Sequence, residues 1–104
     1  MSEAQPVPDW LYGRWRFRDA DADVGILPDT CMDFRTSGRL LYTVLVEGQQ
    51  AQFDLQYQVR GNLLQTLNPD GGQTSSVAFE RIGDDLLQLD FNGKRARFVR
   101  ERLM

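Results

Sequence analysis

Polar and apolar residues alternate with a period of two through most of this chain, and short turn signals interrupt the alternation at regular spacing. Successive side chains on a strand point to opposite faces, so the pattern restricts the fold to half-buried strands joined by tight turns. Ala51–Val59 shows it best. Ala51, Phe53, Leu55, Tyr57 and Val59 share one face, and Gln52, Asp54, Gln56 and Gln58 share the other. No stretch reads as a long amphipathic helix.

The turn signals are Thr36-Ser37-Gly38, Glu47-Gly48, Gly61-Asn62, Asn68-Pro69-Asp70-Gly71-Gly72, Gly83-Asp84-Asp85 and Asn92-Gly93. Asn92-Gly93 suits a type I′ hairpin turn, which needs positive φ at both central residues. Strands are then expected near residues 12–18, 30–35, 39–46, 50–59, 63–67, 73–81, 86–91 and 94–101. A left-handed Gly38 sets Phe34 opposite Leu40 and Met32 opposite Tyr42. A two-residue turn at Glu47-Gly48 sets Tyr42 opposite Phe53 and Leu40 opposite Leu55. Both turns put Leu40, Tyr42 and Val44 on the inner face, the agreement across levels that a real meander shows. Leu63–Leu67 stays ambiguous: a two-residue turn at Gly61-Asn62 turns Leu64 and Thr66 inward, and a looser loop selects Leu63 and Gln65.

The expected fold is all-β, an up-and-down antiparallel barrel of about eight short strands. Closure removes the exposed edges that an open meander would have to protect. An immunoglobulin-like sandwich needs long crossovers, and the only long connection is Ala20–Asp29. The 104 residues suit a single domain, with 1–8 as a flexible N-terminus.

Gly13-Arg14-Trp15 opens the first strand and resembles the G-x-W signature of the lipocalin and calycin barrels. Asp9-Trp10-Leu11-Tyr12 before it is similar to the short turn that closes the barrel floor in that family. The resemblance implies that a basic residue on the last strand packs over the tryptophan, and Arg100 matches, in phase with Ala96 and Phe98. It also implies binding of small apolar molecules, in a family that includes inhibitors and a few enzymes. The short chain and tight turns depart from the pattern and put a roomy cavity in doubt.

Histidine is absent from the whole chain, which excludes Ser-His-Asp and Cys-His nucleophile systems and histidine-ligated zinc or haem. The chain reads as non-enzymatic, with no cofactor and no metal. Asp19–Gly25 is a poor calcium loop, because its glycine is late and Thr30 stands where a bidentate Glu is needed. Cys31 is the single cysteine, so no internal disulfide forms. No basic residue adjoins it in the chain, and it reads as an inert thiol. Met1–Pro8 is polar with two prolines and no apolar run approaches a membrane span, so a cytoplasmic protein is expected, with no membrane partner.

The expected interior is Trp15, Phe17, Met32, Phe34, Tyr42, Phe53, Leu55, Tyr57, Phe79, Leu87, Leu89, Phe91 and Phe98. A barrel of eight strands is often just wide enough to be filled by side chains, so the interior is either solid or a cavity. Tyr42, Phe53, Tyr57, Trp15 and Arg100 are the candidate ligand-binding residues, and Ala20–Asp29 is the candidate lid. Tryptophan emission is expected to report binding. Arg14, Arg16 and Arg18 on the first strand and Lys94, Arg95 and Arg97 on the last form a candidate basic face, offset by Asp19, Asp21, Asp23 and Glu101. That face lacks aromatic stacking residues, which argues against nucleic acid. Leu41, Thr43 and Leu45 point outward and form a candidate homodimer interface.

Two readings follow. The first is a non-enzymatic calycin-like binding protein for a small apolar or amphipathic molecule at a barrel mouth. The second is a solid barrel that binds a protein partner, or a second copy of itself, and no small ligand.

Overall fold

A computed structural model of the chain describes residues 7–21 and 25–101. A 3-10 turn, Asp9–Leu11, precedes eight strands: β1 (Gly13–Ala20), β2 (Cys31–Phe34), β3 (Arg39–Val46), β4 (Gln49–Arg60), β5 (Leu63–Leu67), β6 (Thr74–Ile82), β7 (Leu86–Phe91) and β8 (Lys94–Arg100). Each strand pairs antiparallel with the next, and β1 pairs with β8 to close the barrel. The expected flexible segment 1–8 and Asp23 of the acidic loop lie mostly or wholly outside the described residues.

The registers follow from turn chemistry. Phe34 faces Leu40 and Met32 faces Tyr42; Tyr42 in turn faces Phe53 and Leu40 faces Leu55. Asn92 and Gly93 have φ of 56° and 93°, the pair of positive angles a type I′ turn requires. The ambiguity in β5 resolves toward Leu64, which is buried opposite Val59, while Leu63 is exposed.

One feature of β1 breaks the alternation. Phe17 pairs with Phe98, yet the next pair is Asp19 with Arg97, followed by Ala20 with Ala96. Arg18 is therefore an extra residue, a β-bulge. It rephases the strand, so that Asp19 points out and Ala20 points in.

The core gathers at one end of the barrel. Leu11, Trp15, Leu87, Phe34, Phe98, Leu40, Val59 and Leu64 are all at most 2% exposed. Phe53 does not join them. It keeps the inward register but is 48% exposed, because β3 and β4 run on past the packed core at the other end. The sequence places Phe53 on the correct face and gives no measure of how far the barrel wall extends.

Candidate functional site

Eight hairpin-linked strands give the barrel two chemically different ends. The Asp9–Leu11 turn shares one end with the loops after β2, β4 and β6. The loops after β1, β3, β5 and β7 surround the other.

The first end is a closed floor. Leu11 plugs it, fully buried, and its carbonyl accepts a 2.9 Å hydrogen bond from Trp15 Nε1. Trp10 stands edge-on to Trp15 at 6.3 Å and lies 5.9 Å from Phe79. Arg100 closes the corner, its guanidinium carbon 4.3 Å from the centre of the Trp15 ring. Tyr57 belongs to this region. Its ring meets Phe34 edge-on at 5.1 Å, and its hydroxyl donates to the Arg35 carbonyl at 2.8 Å. Burial pushes the Tyr57 hydroxyl up to about 12, with a smaller contribution from Tyr12.

The second end is packed less tightly. Phe17 and Leu55, opposite Phe98 and Leu40, and Tyr42 and Phe91 beyond them face inward and pack against the core only in part. Phe53 and Val46 continue the same inward phase and are 48% and 47% exposed. Partial burial raises the Tyr42 hydroxyl above its ordinary value. The loop between β1 and β2 borders this end, the mouth. Asp21 N bonds the Arg95 carbonyl at 2.8 Å, Ile26 packs against the core, and Thr30 is fully buried with its hydroxyl on the Leu27 carbonyl at 2.7 Å. The candidate lid is thus tied down at both flanks, and its centre, residues 22–24, lies outside the described residues.

The five candidate ligand residues fall into two groups. Tyr42 and Phe53 sit side by side at the mouth, whereas Trp15, Arg100 and Tyr57 are built into the packed floor half. Both tryptophans that were to report binding lie at the floor.

Two concavities lie along the barrel wall. One, of about 410 Å³, runs across β4, β5 and β6. It is lined by residues 56–58, 65–67 and 74–76. The other, of about 290 Å³, is lined from Asn62, β6, β7 and β8.

The candidate basic face is interleaved with acids. Arg14 and Arg16 share Glu101, at 3.0 and 3.9 Å, and Arg97 binds Asp19 at 2.5 Å and Asp21 at 2.8 Å. Lys94 is not part of that face: it shares the inward phase of Ala96 and Phe98, a period-two relation already present in the sequence. Cys31 is 6% exposed, and its sulfur contacts the Asp29 carbonyl at 3.7 Å. It does have basic neighbours across the β1–β2 pair: Arg16 stands opposite it, and Cys31 is the first cause that raises the Arg14 guanidinium. Leu41 and Thr43 are half-buried on the outer face of β3, and Leu45 is 43% exposed. Among the described residues no helix is long and apolar enough to cross a membrane.

A lipocalin-like protein from Bacteroides uniformis superposes with a TM-score of 0.73 at 17% identity, over 88% of this chain and 99% of that one. The fold is lipocalin-like. An uncharacterized protein from Bacteroides eggerthii superposes similarly, with a TM-score of 0.71 at 15% identity, over 89% of this chain and all of that one. No family model matches the sequence, and no curated protein does. Likeness at these identities concerns the fold, and function rests on the site itself. In this lipocalin-like barrel the inward residues at the floor are buried, and those toward the other end are partly exposed.

Proposed function

We propose that this lipocalin-like barrel is a non-enzymatic binding protein that seats one small amphipathic molecule at its mouth. The observation that carries the reading is the difference between the two ends. Inward-facing side chains at the floor are almost fully buried, whereas Phe53 and Val46 keep the same inward phase and are about half exposed. Contiguous apolar surface left in water is unfavourable by about 25 cal/mol per Å², so a molecule that covers it binds there first. The filled floor limits the depth of insertion. A chain or ring reaches in beside Tyr42, Phe53 and Phe91 and stops above Phe98.

The test uses a neutral solvatochromic dye, Nile red, and a Phe53→Trp reporter, because the native tryptophans sit at the far end. Saturable dye binding, weakened about five-fold by Phe53→Ala and unchanged by Gln58→Ala on the outer wall, is the expected result. Absence of saturable binding, or its loss in the Gln58 variant alone, overturns the reading.

The exposed Leu45 favours a second reading, a two-fold contact between copies through the outer face of β3. A wild-type chain that sediments as a monomer at high concentration dismisses it; a dimer that Leu41→Glu dissociates sustains it.

A further inference from the structure

Lys94 is the single lysine of the chain. It opens β8 opposite Phe91, two places before the fully buried Ala96 and four before Phe98. Alternation along the strand therefore gives Lys94 the inward phase, while its neighbours Arg95 and Arg97 take the outward one. Since the β7–β8 turn belongs to the second end, Lys94 stands at the mouth, on the same side of the wall as the aromatic residues there. It is exposed.

Among the described residues Lys94 is also the one cation without a partner. Arg14, Arg16, Arg18, Arg35, Arg39, Arg81, Arg95 and Arg97 each meet a carboxylate. Arg100 is taken up by Trp15 and two backbone carbonyls, and Arg60 is engaged as well. Asp90, the nearest acid along the hairpin, is turned to the Gly93 amide and to Arg95. Among the described residues nearly every cation is paired, and the one that is not stands beside the partly exposed aromatic residues of the mouth.

We infer that the molecule seated at the mouth carries an anionic head group, a carboxylate or a sulfate, and that Lys94 pairs with it at the rim. The inference rests on the mouth-binding reading above and adds the chemistry of the head. A lysine suits the place, since its four-carbon stem lies along apolar surface while its ammonium stays at the water boundary. The other charges around the mouth fix where the head goes. Asp29, Glu47 and Asp70 lie in the loops after β1, β3 and β5, and Asp21 is held by Arg97. An anion is disfavoured along those loops and favoured only beside β7–β8. The tail then runs from Lys94 past Phe91 toward Tyr42 and Phe53.

The experiment compares two probes with the same tail, decanoate and decanol, as competitors of Nile red on the wild type, Lys94→Gln and Lys94→Glu. Lys94→Gln is expected to weaken decanoate about three- to ten-fold and to leave decanol unchanged, as for a charge pair that keeps part of its water. Lys94→Glu weakens decanoate further, and added salt shrinks the difference between wild type and variants. If decanol and decanoate bind all three proteins with unchanged affinities, or if Lys94→Gln weakens both equally, the anionic-head inference is overturned and mouth binding stands. If neither probe displaces the dye from any of them, the mouth reading falls too.

Discussion

Arg100 ties the last strand to the floor through Trp15. Its guanidinium lies over the indole, 4.3 Å from the ring centre, and donates at 2.9 Å to the Tyr12 carbonyl and also to that of Trp10. One cation thus satisfies backbone acceptors of the floor turn and covers a fully buried ring. Arg100→Ala is expected to cost about 2–4 kcal/mol, combining a cation–π contact with charged hydrogen bonds. Arg14→Ala removes an exposed pair with Glu101 and should cost at most about 1 kcal/mol. Urea titration of the two variants checks the difference; equal midpoints would remove Arg100 from its structural role.

Gly13 makes that arrangement possible. Its φ is +111°, and a Cβ built on it would stand 2.9 Å from Arg100 Nη1. A side chain there meets strained backbone and the guanidinium together. Gly13→Ala should therefore destabilise by about 1–3 kcal/mol; the part due to the guanidinium contact should vanish in an Arg100→Ala background, while the part due to the positive φ remains. A double-mutant cycle reads the coupling directly; strictly additive effects would show that the contact is not the cause.

The pH dependence follows from Tyr57. Burial holds its hydroxyl protonated up to about 12, against about 10 in an unfolded chain. The raised value means that the unfolded state loses this proton first as pH climbs. Stability is fully present below about pH 10 and falls as pH rises toward 12, by about 1–2 kcal/mol after allowance for solvent screening. Tyr57→Phe should flatten part of that decline, with Tyr42, also raised by burial, supplying the remainder. The same variant loses the bond to the Arg35 carbonyl and should cost about 1 kcal/mol at neutral pH. Urea midpoints at pH 7 and pH 11.5 check both effects; an unchanged alkaline slope in Tyr57→Phe refutes the assignment.

The strand order and registers were legible because each turn states its own geometry. Gly38, Glu47-Gly48 and Asn92-Gly93 set positive φ where the expected loops need it, and the pairings follow. The placement of Arg100 over Trp15 was legible through the family resemblance. The depth of the barrel was not. Alternation sets which way Phe53 and Trp15 point but not how many layers lie above each, so one proved half-exposed and the other fully buried. Lys94 could have been separated from Arg95 and Arg97 by its phase alone. Cys31 meets Arg16 only across a strand pair, which neighbours in the chain do not reveal. The bulge at Arg18 left no mark, because Arg14, Arg16 and Arg18 continue a regular polar alternation through it.

The bulge leads to the last prediction. With Arg18 in place, Phe17 faces Phe98 inward, Asp19 faces Arg97 outward and Ala20 faces Ala96 inward. Deleting Arg18 joins Phe17 directly to Asp19 and leaves all three pairs in phase, since the extra residue had no partner of its own. The Asp19–Arg97 contact at 2.5 Å would persist. Deleting Arg16 instead shifts Trp15 and everything before it by one place, turning a fully buried indole outward, because a slip of one residue exchanges the two faces. The Arg18 deletion should fold with a modest loss, about 1–2 kcal/mol for the twist the bulge supplies and the exposed Arg18–Asp19 pair. The Arg16 deletion should lose the cooperative transition altogether. Thermal melts followed by tryptophan fluorescence distinguish the two, since Trp10 and Trp15 both report on the floor. Two deletions of equal effect would show that β1 does not take its register from Arg18.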